Sequence, residues 1–200
     1  MSAVLTPTRM TPDEYLAWES TQQERHEYIG GEIFAMTGVR LNHNRIVVNA
    51  LVHLRQGLRG MPCEVFGSDV KLLVSSAGAY VYPDVIVTCD SRDRGDLSSL
   101  SVSHPWLIVE VLSDSTAAFD RGGKFELYRQ VESLTHYLLV EQTRPHAELF
   151  RKNAQGERVL QPLAADETLH IERPHALDWP VASLFDGVPF EPAAPAIAAP

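Results

Sequence analysis

Two apolar runs, each interrupted by a single acid, constrain this chain more than any other feature. The runs are Tyr80-Val81-Tyr82-Pro83-Asp84-Val85-Ile86-Val87 and Trp106-Leu107-Ile108-Val109-Glu110-Val111-Leu112. Strand side chains alternate faces, so Val81, Val85 and Val87 are expected on one side of the first run, with Tyr82, Asp84 and Ile86 on the other. Glu110 shares its face with Ile108 and Leu112. Neither run has a polar face, which is the pattern of strands buried on both sides. A carboxylate in such a setting must find a partner or take up a proton.

If the two strands are neighbours, their acids converge. Two like charges about 4 Å apart repel by roughly 4 kcal/mol at an effective dielectric near 20. A divalent cation removes that repulsion. Oxygen ligands with no Cys or His cluster point to Mg²⁺ or Mn²⁺ rather than zinc. Pro83 cannot donate to a sheet ladder, so it should splay the strand just before Asp84 and leave room between the acids.

A cation stands close by in the chain. Lys124, Leu127, Tyr128 and Val131 fall at i, i+3, i+4 and i+7 of a helix expected over residues 122–132. That spacing sets the lysine at the head of the inward stripe, where its ammonium can reach the acids. Asp120 lies one turn earlier and suits a helix cap, with a catalytic role as the alternative. Tyr128 belongs to the core stripe, its hydroxyl free to turn toward the acids.

Around this centre the elements are legible from periodicity and turn chemistry. Thr11 opens a short helix with Pro12 in its first turn. Residues 24–29 and 32–37 form a hairpin across Gly30-Gly31. Asn42 is the expected N-cap of an amphipathic helix over residues 43–59, closed by Gly60 and Pro62. His43 lies on its inward face, to pack or to touch a phosphate. Arg45, Arg55 and Arg59 share one side, as a solvated face or a grip on a nucleic-acid backbone. A strand run over residues 63–74 should break near Gly67, residues 90–104 read as a surface loop, and strands at 136–140 and 147–151 flank a turn at Arg144-Pro145. Short strand pieces and a helical turn at Val181 to Phe185 follow. Helices and strands interleave without strict alternation, which gives an α+β (loosely α/β) class with a mixed sheet flanked by helices.

With 200 residues and 44% apolar content the chain can bury one core, so one domain over residues 1–190 is expected, followed by a disordered Pro/Ala tail at 191–200. No apolar run reaches 18 residues and no secretory layout opens the sequence, which points to a soluble, cytoplasmic protein. Cys63 and Cys89 read as small buried hydrophobes, too few for a disulfide framework. The net charge of −9 excludes a protein that coats nucleic acid by bulk attraction, so any such contact is local.

The Pro83-Asp84 pair followed by Glu110 in an apolar strand is similar to the PD-(D/E)XK nuclease signature. The ordered segments HEYIGGEI, LNHNRI, YPDVIV, LIVEVLSDST, DRGGKFELY and HYLLVE resemble the Uma family of restriction-type endonucleases across residues 11–190. The resemblance implies a restriction-endonuclease-like core and Mg²⁺-dependent hydrolysis of DNA phosphodiesters. It also implies metal held by Asp84, Glu110 and the Val111 carbonyl, and pairing into homodimers. In the superfamily the last lysine stands two residues after the second acid, a place held here by Leu112, so the resemblance implies that the lysine has moved to Lys124. It also places an acid at Glu27, which either approaches the site or is an exposed hairpin residue.

Two other function classes compete. A catalytically inactive binding or assembly protein on the same fold is favoured by the negative charge and the displaced lysine, and disfavoured by the intact acids. A glycosidase using Asp84 and Glu110 as acid and base needs aromatic platforms, and the 8% aromatic content offers no cluster.

Overall fold

The computed structural model describes residues 9–190 apart from Thr37, Leu97 and Arg173. Helix α1 (Pro12–Glu19) opens on a capping box in which Thr11 Oγ1 accepts from the Glu14 amide and the Glu14 carboxylate accepts from the Thr11 amide. Strands β1 (His26–Ile29) and β2 (Glu32–Ala35) follow as an antiparallel hairpin with Ile29 opposite Glu32. Its two turn residues, Gly30 and Gly31, have φ of 60° and 92°, which glycine adopts without the Cβ penalty.

Helix α2 (Leu41–Gly57) buries Ile46, Val47, Ala50 and Leu54 along one stripe, as the periodicity predicts. Its cap is Arg40, whose extended backbone precedes the first helical residue, and no side chain bonds there. The expected cap, Asn42, lies inside the first turn, donating instead to the Pro189 carbonyl and accepting from Arg45.

The next stretch departs most from its sequence pattern. Residues 63–74 divide into β3 (Glu64–Gly67) and β4 (Lys71–Val74), and residues 80–89 divide into β5 (Ala79–Val81) and β6 (Val85–Thr88). β3 pairs with β6 while β4 pairs with β5, and the two pairs belong to different sheets. The chain thus leaves one sheet after Gly67, runs out and back in the other, and returns across Tyr82-Pro83-Asp84. The expected single strand would have kept Val81 on the face of Val85 and Val87. Across the break Val81 instead joins the apolar cluster of Ile86 and Ile108, because the proline cannot donate to the ladder and the backbone redirects there.

β6 abuts β8 (Leu107–Leu112) in antiparallel register, with Val85 opposite Val109. The larger sheet runs β11-β10-β9-β8-β6-β3, where β9 is His136–Glu141, β10 His146–Lys152 and β11 Arg158–Ala164. β8 and β9 are parallel and the other pairs antiparallel. The smaller sheet runs β2-β1-β5-β4-β7, with β7 at Ser101–Val102. A one-turn helix α3 (Ser91–Arg94) and β7 thus occupy the segment expected as a plain loop. This mixed α+β arrangement is the expected class.

Every residue of β8 is buried. Leu107, Val109 and Val111 face α2 together with Val85, Val87 and the C-terminal elements β12 (Thr168–Ile171), β13 (Leu177–Pro180) and a 3₁₀ turn at Val181–Phe185. Ile108 and Leu112 face the smaller sheet and the helical run that follows β8. That run comprises α4 (Ala117–Phe119), a wide π turn (Asp120–Lys124) and α5 (Phe125–Tyr128). It starts and ends earlier than the expected helix over 122–132. Gly123 permits the π turn's packing, since a Cβ there would fall 2.4 Å from the Phe119 ring.

Cys63 and Cys89 are joined as a disulfide, which corrects their reading as separate hydrophobes. Glu64 faces Thr88 at the end of the β3–β6 ladder, so the next residues on each strand stand opposite one another, within bonding reach. Among the described residues no helix is long and apolar enough to cross a membrane. The expected Pro/Ala tail lies outside the described residues.

His136 gives the core a pH dependence. It is buried beside the Trp106 ring, and burial, followed by the charges of Arg151 and Arg158, lowers its pKa from 6.5 to about 4. Between these values the unfolded chain takes up a proton that the folded chain refuses, so stability falls as pH drops through this window and the loss is complete below about 4. We expect this component to reach about 3 kcal/mol. Urea titrations at pH 7 and pH 4 should show a smaller acid loss in His136→Gln than in the wild type.

Candidate active site

The sheet change at Pro83 and the pairing of β6 with β8 bring Asp84 and Glu110 to one pocket of about 450 Å³, which Glu27, His43, Asp120 and Lys124 also line. Asp84 sits just before β6. Its Oδ2 accepts from the Val111 amide at 2.7 Å, and its Oδ1 lies 3.0 Å from His43 Nε2. His43 therefore does more than pack: from the first turn of α2 it holds the carboxylate. Its Nδ1 is buried without a hydrogen-bond partner among the described residues.

Glu110 lies on the face of β8 that meets the helical run. One oxygen, Oε1, accepts from Lys124 Nζ at 3.0 Å and from the Tyr128 hydroxyl at 2.7 Å. The lysine ammonium also lies 3.1 Å from Glu27 Oε1 and 3.7 Å from Asp120 Oδ1. The helical stripe read from the sequence thus points Lys124 inward as expected. Asp120, four residues before Lys124, faces the same interior from the start of the π turn.

Glu27 is no exposed hairpin acid. It is buried on β1, in the smaller sheet, and also accepts from the Tyr82 amide at 3.1 Å. Asp120 does not cap a helix. The helical run begins three residues before it, and it sits buried inside the π turn, where no free amide needs capping.

The electrostatics follow from one ammonium among several acids. Burial alone would lower the Lys124 pKa, but Glu110, Glu27, Asp120 and Asp84 together hold it well above the ordinary lysine value. Burial pushes Glu110 well up from the usual carboxylate range against the pull of Lys124, and the Asp120 and Asp84 charges add to the push. Asp120 is raised chiefly by burial, again against the lysine. Burial and then the Glu110 charge raise the Tyr128 phenol, which keeps it a hydrogen-bond donor.

The donor set suits a hard divalent cation. Four carboxylates surround one ammonium, leaving negative charge for a metal to neutralise, and Mg²⁺ ordinarily takes one or two carboxylates and completes its shell with water. The site is not a ready-made cage of protein ligands. Among the described residues the only three metal-ligating side chains whose donor atoms all lie within 4.8 Å of one another are Cys63, Cys89 and His175.

Sequence reasoning missed Gln142, which follows β9, is 4% exposed and lines the same pocket. A single amide just past a strand end gives no periodic signal. It also missed the network behind the site, where the Tyr82 hydroxyl and His26 both bond to the buried Glu19. The three helical arginines turn outward: Arg45 bonds to Asn42, Arg55 pairs with Glu64, and Arg59 is exposed.

Residues 12–182 match the model of the Uma2 family, described as "Putative restriction endonuclease". The uncharacterized protein slr1290 of Synechocystis sp. is 40% identical over 182 residues, covering 91% of this chain and 94% of that protein. Its compatriot sll1609 is 36% identical over 166 residues, covering 83% and 94%. The fold is similar to the crystal structure of a "putative nuclease belonging to DUF820" from Anabaena variabilis, with a TM-score of 0.74 at 15% identity over 90% of this chain and 99% of that one.

Removing the ammonium should expose how far the acids depend on it. Lys124→Met leaves Glu110, Glu27 and Asp120 without their shared cation, and we expect a loss of about 3–5 kcal/mol at pH 7. Glu110 and Asp120 hold raised pKa values, so they take up protons as pH falls, and the gap to wild type should narrow at pH 5. Adding Glu110→Gln to the lysine variant should recover part of the loss. Urea denaturation of the three proteins at both pH values checks this, and a gap that does not vary with pH would contradict it.

Proposed function

Because this chain belongs to the Uma2 family, we propose that it is a metal-dependent endonuclease hydrolysing DNA phosphodiester bonds at the pocket lined by Asp84, Glu110 and Lys124. The observation that carries this reading is the buried ammonium of Lys124, held within hydrogen-bond distance of Glu110 at the floor of an open pocket. A cation kept among acids and beside solvent is poorly explained by packing alone, since an apolar residue of similar volume is often as stabilising as a buried ion pair.

Asp84 and Glu110, with the Val111 carbonyl, would hold Mg²⁺ or Mn²⁺. When bound, such an ion supplies Lewis-acid polarisation of a phosphoryl oxygen and a more acidic water. The remaining roles belong to the chain. Lys124 orients the attacking water and offsets charge developing on the phosphorus oxygens. Glu27 and Asp120 keep its ammonium protonated and in place. The Tyr128 hydroxyl fixes the same Glu110 oxygen that Lys124 holds, and His43 with the Val111 amide fixes the Asp84 carboxylate.

One observation favours a second reading, a catalytically inactive binding or assembly protein. Each of the two acids is already satisfied by the protein, Asp84 by His43 and Val111 and Glu110 by Lys124 and Tyr128. Turnover separates the two.

Purified protein incubated with plasmid, linear and branched DNA should cleave in Mg²⁺ or Mn²⁺ and not in EDTA. Asp84→Asn and Glu110→Gln should each abolish cleavage, with circular dichroism showing that the fold is kept. Full activity in either variant would overturn the assignment. Absence of any metal-dependent cleavage in the wild type would favour the binding protein.

A further inference from the structure

The pocket over the acids is larger and more apolar than a scissile phosphate requires. Its lining joins the charged cluster to Phe34, Met36, Val39 and Phe119, contributed by β2, the segment leading to α2, and α4. A phosphodiester is small and anionic and gains nothing from these apolar side chains. Phe34 and Phe119 are only half-buried, and neither ring stacks on another aromatic ring among the described residues. The chain thus brings two half-buried aromatic rings to one cavity, that of Phe119 resting on Gly123 at one side. Aromatic rings beside a phosphate site are what unstacked bases stack on, because every base has a π-face of its own.

A polar observation points the same way. Gln142 lines this cavity and is 4% exposed, and its Oε1 has no hydrogen-bond partner among the described residues. A buried amide oxygen without a partner is costly unless a ligand completes it. The edge of a base offers both donors and acceptors to an amide.

We propose that this pocket receives one unpaired nucleobase of a single-stranded DNA segment, lodged against Phe34 and Phe119 and hydrogen-bonded by Gln142. The neighbouring phosphate then lies over Asp84 and Glu110, a placement that rests on the nuclease reading above. The substrate class that follows is DNA with an unpaired nucleotide at the point of attack, in preference to continuous duplex, whose bases must first leave the stack.

Binding with Ca²⁺ in place of Mg²⁺, so that the acids beneath the phosphate are neutralised, tests this apart from turnover. Fluorescence anisotropy would compare a labelled single-stranded oligonucleotide, the same strand with a run of abasic sites, and the blunt duplex of the same sequence. The intact strand should bind about tenfold tighter than either of the others, in line with loss of base–aromatic stacking. Phe119→Leu, which keeps apolar volume without a π-face, and Gln142→Ala should each bring the intact strand down toward the abasic one. Circular dichroism melts confirm that the variants fold, and Phe34→Leu repeats the test if Phe119→Leu does not. Equal binding of intact and abasic strands, a preference for the duplex, or no binding to any of them would overturn the proposal. Base-dependent binding without cleavage in Mg²⁺ would keep the pocket assignment and sink the nuclease reading, whereas cleavage without base discrimination would do the reverse.

Discussion

Everything around the pocket is arranged so that one ammonium can stay charged out of water. Burying Lys124 alone would cost several kcal/mol, and only close carboxylates make it tolerable. Those carboxylates come from three places: Glu110 from β8 in the larger sheet, Glu27 from β1 in the smaller sheet, and Asp120 from the π turn that carries the lysine itself. The ion cluster is therefore also the polar bond between the two sheets and the helical run. Apolar contacts fill the same interface through Leu72, Val81, Ile86, Ile108 and Leu127, but they are non-directional and would tolerate a shift that the ion cluster would not.

The seam between the sheets explains where the acids stand. Strands that cross from one sheet to another must break their ladders, and the breaks leave backbone free to turn side chains inward. At Tyr82-Pro83-Asp84 the break delivers two bonds at once. The Tyr82 amide, released from strand pairing, donates to Glu27, while the Asp84 carboxylate crosses to the Val111 amide of β8. Asp84 thereby gives the Val111 amide an acceptor where the β6–β8 ladder ends.

Much of this was legible in the sequence because it depends on short periods. Glu110 in an unbroken apolar strand, and Lys124 three and four residues before Leu127 and Tyr128, need only the 2.0 and 3.6 residue repeats to be placed. What the periods do not encode is where a strand stops obeying them. Val81 and Val85 share a parity, yet they part company across the Pro83 break, and no alternation rule signals a change of sheet. The same limit hid the π turn, since Asp120 and Lys124 are spaced as in an ordinary helix. Glu27 was readable as an acid near a turn, but its partners lie in distant segments, and such contacts appear only once the sheets are assembled. Cys63 and Cys89 looked apolar because each adjoins an apolar strand, and only the register of β3 against β6 sets them face to face.

That bridge has a consequence for the chain before it folds. Its two ends are 26 residues apart, and the closed loop contains the whole detour through the smaller sheet, from the departure after Gly67 to the return at Asp84. In the chain-entropy view a loop of this size removes about 3.5 kcal/mol of freedom from the denatured ensemble. The point of exit and the point of re-entry therefore stay covalently close even when every hydrogen bond is gone. In an oxidising setting one end of β3 and one end of β6 stay tethered through unfolding. In a reducing one the same detour must be recovered by diffusion, so one sequence carries two different denatured states, distinguished by a single pair of electrons at a distance from the acids.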